Sequence, residues 1–256
     1  MTVISDWTNT SELGSLPDNV VHVWAWQNHQ PDESSDPDLS LLSDQEIERC
    51  LRFRFLRDRI SFATSHRNTR LLLAHYLGAS PDSLSIAPEV GEKPRLQGTG
   101  ERLRFNLSHC KDVGMLAVAW NIEVGIDVEQ PRRVSPDVAT RYFSSAELLE
   151  LSRLEGDHWR NGFLRCWTRK EALLKAEGVG LRIPLDAFDV SLAIDDPKLL
   201  AVRPPAKFSH AWKLYDVSPP LTYIACLAAD SAPSAIHRYN FHRNEISASD
   251  AAIPVS

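Results

Sequence analysis

Two stretches about a hundred residues apart constrain this chain more than any other feature. LLSDQEIERCLRF turns helix-like at Ser43, with Glu46 three residues on, and YFSSAELLELSRL repeats the relation with Ser144 and Glu147. Serine followed at the third position by glutamate is a capping-box signature, in which hydroxyl and carboxylate each satisfy a backbone N–H left free at a helix start. Nineteen residues after each cap an aromatic opens a further helical run: Phe62 in SFATSHRNTRLLLAHYLG and Phe163 in GFLRCWTRKEALLKAEGVG. Each run stops at a glycine, Gly78 or Gly178, suited to a helix C-terminus. The Ser, Glu and Phe pairs all stand 101 positions apart. Two readings are open: a coincidence of two amphipathic helical hairpins, or a duplication that makes two similar α+β halves with a cleft between them.

Strand-like runs supply a sheet to each half: VVHVWAW over 20–26, a hairpin of MLAVAW and VGIDVE around a turn at Asn121, then AWKLYDV and YIACLAA. QPRRVSP, 130–136, carries two prolines and reads as a loop. The expected layout is a loose tail over 1–19, an N-terminal half over 20–119, a C-terminal half over 120–244 and a second loose tail over 245–256. A formal charge of −6 argues against a generic binder of nucleic acid or anionic membrane, which needs a basic surface. Cys50, Cys110, Cys166 and Cys226 lack the paired spacing of a zinc site or a disulfide framework. The first nineteen residues have neither a charged nor an apolar leader segment, and no apolar stretch reaches membrane length. The expectation is a cytoplasmic protein with free thiols and neither a nucleic-acid nor a membrane partner.

Chemistry concentrates in five places. In EVGIDVEQ, Val124, Ile126 and Val128 alternate as one buried strand face, which puts Asp127 and Glu129 together on the other at roughly 7 Å spacing. Two carboxylates so close stay ionised together when a hard cation with oxygen ligands lies between them; a solvated polar face is the plainer reading. In WTRKEALLKAEG, Glu171 and Lys175 stand at i and i+4, an arrangement common on any helix surface, while Lys170 falls in the apolar arc and must snorkel or find a partner. RFNLSHCKD reads as a strand end that hands Ser108 and His109 to a polar turn, although a lone histidine is more often structural. Arg49, Arg52, Arg54, Arg57, Arg59, Arg67 and Arg70 are dense enough in an acidic chain to meet an anion, or form a solvated helix face. GEKPRL places Lys93 before a proline in a loop.

Taken in order, GEKPRL, FNLSHC, GIDVE and WTRKEALLK resemble the motifs of the Sfp-type 4′-phosphopantetheinyl transferases, also called holo-acyl-carrier-protein synthases, over about residues 40–190. The resemblance implies an α+β fold built as a pseudo-twofold pair of similar halves in one chain. It implies an enzyme that moves the phosphopantetheine arm of coenzyme A onto a serine of an acyl or peptidyl carrier protein, releasing adenosine 3′,5′-bisphosphate. Such phosphoryl transfer depends mostly on positioning and charge neutralisation. By resemblance Asp127, Glu129 and Glu171 match ligands of Mg2+; Glu171 also matches the general base, Lys175 can neutralise the diphosphate or protonate the leaving group, and Lys170 is expected to support the carboxylates. Arg49, Arg67, Lys93, Ser108, His109, Asp127 and Lys175 match positions that bind coenzyme A. The chain departs from the pattern at Glu46, where a lysine is expected, so that Arg52 or Arg70 would have to replace one phosphate contact. Arg132, Arg133 and Arg141 fall in the region that meets the carrier, and a monomer is expected. Competing readings are a magnesium-dependent phosphohydrolase acting on a nucleotide, a nucleic-acid module built on the arginine run, and a carrier-protein binder without activity. The phenylalanines among those arginines fit a helix core better than a stacking platform, and the presence of all three carboxylates and both lysines gives no sign of lost activity.

Overall fold

A computed structural model describes residues 2–9, 14–28, 36–86, 93–219 and 222–241. In chain order the elements are β1 (Val3–Asn9), β2 (Val20–Gln27), α1 (Asp44–Arg52), α2 (Leu56–Leu77), β3 (Leu103–Cys110), β4 (Val113–Trp120), β5 (Val124–Glu129), α3 (Pro136–Tyr142), α4 (Ser145–Leu151), α5 (Gly156–Glu177), β6 (Phe188–Val190), β7 (Leu199–Val202), β8 (Lys213–Asp216), β9 (Ile224–Ala229) and β10 (Ala235–Asn240). Both capping boxes form. Ser43 Oγ accepts from Glu46 N while Glu46 Oε2 accepts from Ser43 N at 2.7 Å, and Ser144 and Glu147 repeat the exchange at 2.9 Å. The long helices that follow, α2 and α5, each have 22 residues and end on a left-handed glycine, Gly78 at φ 58° and Gly178 at φ 75°. They begin six or seven residues before Phe62 and Phe163, which are interior anchors and not helix starts; the polar, glycine-bearing GDHWRNG hides the first turns of α5 because its local propensity is poor and packing overrides it.

Each capping glutamate also ties its short helix to the long one. Glu46 Oε2 accepts from Arg70 Nη2 at 2.9 Å, and Glu147 Oε1 from Lys170 Nζ at 2.8 Å. The strands form a five-stranded sheet in the order β1-β10-β2-β4-β3, a three-stranded sheet β5-β9-β8 and the pair β6-β7, so the chain is α+β.

Three sequence expectations change here. Residues 3–9 are not a loose tail: β1 runs parallel to β10 on the edge of the large sheet. A domain boundary near residue 120 does not hold either, because β10 returns from the far end of the chain to pair in parallel with β2. The expected hairpin of β4 with β5 is instead β3 with β4; β4 is flanked by β2 and β3, so no edge is left for β5, and Asn121, at φ 54°, turns the chain out to pair β5 with β9. The expected tail 245–256 lies outside the described residues. Among those residues no helix is long and apolar enough to cross a membrane.

The junction of the two sheets makes the site. Val124, Ile126 and Val128 are buried between the sheets among Val21, Val23 and Ala117, each contributing about 1.5–3 kcal/mol of burial free energy. β5 lies beside β3 without a backbone ladder; side chains bridge them, Ile126 N donating to Asn106 Oδ1 at 2.8 Å and Val128 N to Ser108 Oγ at 3.4 Å. The opposite face of β5 lies against α5, so closely that a Cβ on Gly125 would stand 2.2 Å from the carbonyl oxygen of Ala172. That approach brings Glu171 and Lys175 alongside Asp127 and Glu129.

Candidate active site

Asp127 is almost fully buried, and its two oxygens differ. Oδ1 accepts from Lys175 Nζ at 2.6 Å and from Ser108 Oγ at 3.0 Å, whereas Oδ2 is buried with no hydrogen-bond partner among the described residues. Two residues on, Glu129 is half-buried; desolvation and then the Asp127 charge raise its pKa, against the pull of Arg132, whose Nη2 lies 3.5 Å from Oε1. Glu171, on α5, is pushed up to about 7 by burial and by Asp127, with Lys175 opposing and Glu129 adding to the rise. Like charges so placed favour the protonated form until a cation joins them. The three carboxylates line one cleft, but they are not drawn into a finished cage: among the described residues no three of His, Cys, Asp or Glu stand in metal-holding geometry. Lys175 takes the place beside Asp127 that a cation would share. The unpartnered Oδ2 and an all-oxygen donor set nevertheless fit a hard divalent ion.

The cleft encloses about 560 Å³, and Arg49, His66, Lys93, Ser108, His109 and Lys175 line the rest of it. Lys175 Nζ also donates to Ser108 Oγ at 2.8 Å, so strand, helix and ammonium are locked into one unit. Arg49 lies over the ring of Phe62, on which His66 stacks at 4.0 Å between centroids. His109 is open to water inside this concave surface, yet desolvation by the walls, followed by His66, Lys175 and Arg49, lowers its pKa to about 4.

Of the expected coenzyme-binding residues, Arg49, Lys93, Ser108, His109, Asp127 and Lys175 come together in this cleft. Arg67 does not: its Nε lies 3.0 Å from Asp38 Oδ2, outside the lining. Lys170 is corrected more sharply. Its ammonium is fully buried behind α5, donating to the carbonyls of Leu185 and Phe188 at 2.7 and 2.6 Å and paired with Glu147, so it touches neither the cleft nor the carboxylates expected to need it. Neither candidate replacement at the Glu46 position faces the cleft: Arg52 pairs with Glu48 along α1, and Arg70 is spent on Glu46 and the Leu84 carbonyl. Glu46 is no phosphate contact either. Burial alone would raise its pKa, but His66, the Ser43 amide and Arg70 hold it at about 2. Sequence reasoning missed His66 and Asn106. The spacing of His66 four residues beyond Phe62, on the same helical face, was the available signal; for Asn106, which bonds the backbone of another strand, there was none. Gly91 and Glu92 of GEKPRL lie outside the described residues.

A family model described as the 4′-phosphopantetheinyl transferase superfamily matches residues 123–228, the span that carries all three carboxylates and Lys175. The chain is 32% identical over 221 residues to the 4′-phosphopantetheinyl transferase HetI of Nostoc sp., covering 84% of this chain and 89% of that protein. It is 26% identical over 205 residues to the 4′-phosphopantetheinyl transferase Sfp of Bacillus subtilis, covering 80% and 90%. The L-aminoadipate-semialdehyde dehydrogenase-phosphopantetheinyl transferase of Mus musculus is 32% identical over 165 residues, covering 59% and 53%. The chain belongs to the 4′-phosphopantetheinyl transferase superfamily. It is an enzyme of that class, which uses coenzyme A to place the phosphopantetheine arm on carrier proteins.

Proposed function

We propose that Asp127, Glu129 and Glu171 hold a magnesium ion in this transferase, and that Glu171 is its general base. The reading is carried by Asp127 Oδ2, a buried carboxylate oxygen without a partner among the described residues, beside two carboxyls whose pKa values are raised by burial and by the charges around them. When bound, the cation supplies charge neutralisation to a diphosphate. Arg49, Lys93 and Lys175 bind phosphate oxygens; Ser108 and the neutral His109 bind through hydrogen bonds. Glu171 accepts the proton of the carrier serine as that oxygen bonds to the phosphorus bearing the pantetheine arm. The bond from this phosphorus to the departing adenosine 3′,5′-bisphosphate breaks, and Lys175 offsets the charge that appears there.

Arg132, Arg133 and Arg141 are exposed on the segment that follows Glu129, where they can steer an acidic carrier toward the cleft despite the chain's net charge of −6. Cytoplasmic residence is supported by the thiols: Cys50, Cys166 and Cys226 are buried and unbridged, and Cys110 is likewise free. We take the working form to be a monomer. The deciding experiment incubates several apo carrier proteins with this protein, magnesium and coenzyme A and measures intact mass. A gain equal to the phosphopantetheine arm, lost when magnesium is chelated, is the expected outcome. Coenzyme A consumed at the same rate without any carrier would instead make the protein a phosphohydrolase, and magnesium-independent transfer would remove the metal assignment.

A further inference from the structure

One carboxylate beside the cleft takes no part in the chemistry above. Glu123 sits just before β5, and its mostly buried side chain holds three cations from two segments: Lys93 Nζ at 2.7 Å, Arg95 Nη1 at 2.8 Å and, from β3, Arg104 Nε at 2.7 Å. Burial would raise its pKa, but Lys93 and Arg95 hold it at about 2, so it is ionised at any working pH. Of the three cations only Lys93 belongs to the cleft lining. Its side chain is 4% exposed, far more enclosed than the 49% of Arg95 or the 28% of Arg104. The same ammonium donates to the Ala176 carbonyl at 3.2 Å, at the end of α5, and the Lys93 Cβ would lie 3.1 Å from a Cβ built on Gly178. Lys93 is thus held by Glu123 on one side and by the C-terminal end of the helix carrying Glu171 and Lys175 on the other. An ammonium has three N–H donors. Among the described residues two are used on protein acceptors, which leaves one for the cleft.

We propose that Glu123 is a positioning residue for coenzyme A binding: it pins Lys93 against the end of α5 and supplies its counter-charge, so that the remaining N–H of Lys93 meets a phosphate oxygen of the substrate. The inference rests on the transferase reading of this cleft. Among the described residues the charged groups facing Lys93 are Glu123, Arg95 and Arg104. Desolvation is the largest influence on Lys93 and lowers its pKa, and the two arginines act in the same direction; Glu123 alone opposes them. Removing that charge leaves a buried lysine among cations, which sheds its proton more easily.

The test is a double-mutant cycle of Glu123→Gln and Lys93→Met, with coenzyme A KM, carrier KM and kcat measured for each protein and coenzyme A Kd obtained by calorimetry. Glu123→Gln is expected to raise coenzyme A KM and Kd by about tenfold or more, because a charge-assisted contact is lost, while kcat and carrier KM stay within about twofold. In that variant the loss should deepen from pH 7 to pH 9, a trend absent from the wild type. In the Lys93→Met background the same change should add nothing. A Glu123→Gln penalty on coenzyme A that is equally large without Lys93, or a fall in kcat and thermal stability with coenzyme A Kd unchanged, would overturn the inference and leave Glu123 a purely structural tie. Lys93→Met with unaltered coenzyme A Kd would overturn it as well, by removing Lys93 from the substrate. A wild-type protein that transfers nothing to any carrier would strike the transferase reading itself.

Discussion

At the scale of single residues, the carboxylates of this cleft are held where their own charge costs stability. Glu171 is buried beside Asp127 and Glu129, which raises its pKa to about 7 and makes its ionised form costly. Glu171→Gln removes that charge and keeps the shape. Transfer should fall by a factor of about 10²–10⁴, the usual worth of a general base, while the melting temperature in magnesium-free buffer stays level or rises. Equal loss of activity and stability would show that Glu171 is a packing residue. Lys170 is the opposite case. Its ammonium is the counter-charge of the buried Glu147, so Lys170→Met leaves an unpaired carboxylate in the core and should cost about 3–5 kcal/mol in urea unfolding. Activity per folded molecule should change little, since Lys170 touches nothing in the cleft. The two neighbours in the sequence, 170 and 171, lie about 100° apart around one helix, enough to put the first in the core and the second in the cleft.

At the scale of elements, the site depends on how closely β5 approaches α5. Gly125 permits it: an added Cβ would meet backbone atoms of Ala172 and Ala176, which cannot swing aside as a side-chain tip can. Gly125→Ala should therefore destabilise by about 1–3 kcal/mol or more and, by parting strand from helix, separate Asp127 from Lys175 and Glu171. A variant with normal melting temperature and full transfer would disprove this packing argument. The alternation of β5 and the i,i+4 pair on α5 were both legible in the sequence, as were the capping boxes and the glycine stops. Their convergence was not, because periodicity states which face of an element is buried but not which other element covers it. For the same reason the face carrying Asp127 and Glu129, polar by pattern, turns out to be covered by a helix.

At the scale of the whole molecule, β10 binds the two ends of the chain into one sheet, and its pairing brings His237 opposite His22 on β2. Burial, then the charge of His237, lowers the His22 pKa from 6.5 to about 4, while its Nδ1 bonds to Tyr76 Oη at 2.8 Å and its Nε2 has no partner among the described residues. A pKa lowered on folding means that the unfolded chain binds the proton more readily. The stability this group contributes is complete above about 6.5 and is lost as pH falls toward 4. Glu46 acts in a lower window: with a folded pKa near 2 against 4.5 when unfolded, its contribution is lost between those values. Over pH 6.5 to 4 His109, lowered likewise to about 4, adds to the loss while Glu171, raised to about 7, opposes it, so His22 is read by difference: the urea midpoint of His22→Gln relative to wild type should rise as pH falls through that window, with the drop below pH 4.5 kept. An unaltered slope in the variant would mean that another group governs the upper window.

Local order was the part that sequence alone determined: where helices begin and end, which strand face is apolar, and the ordered motifs that named the chemistry. Each of these depends on residues within a few positions of one another, so the signal is complete in a short window. Tertiary structure decided which partners meet. It set β5 against β9, returned β10 to β2, turned Arg67 to Asp38 and Lys170 to Glu147, and brought His66 and Lys93 to the cleft. Those choices follow from packing between segments as much as 215 residues apart, as Ala235 is from Val20, where a cation faces whichever carboxylate the fold places beside it.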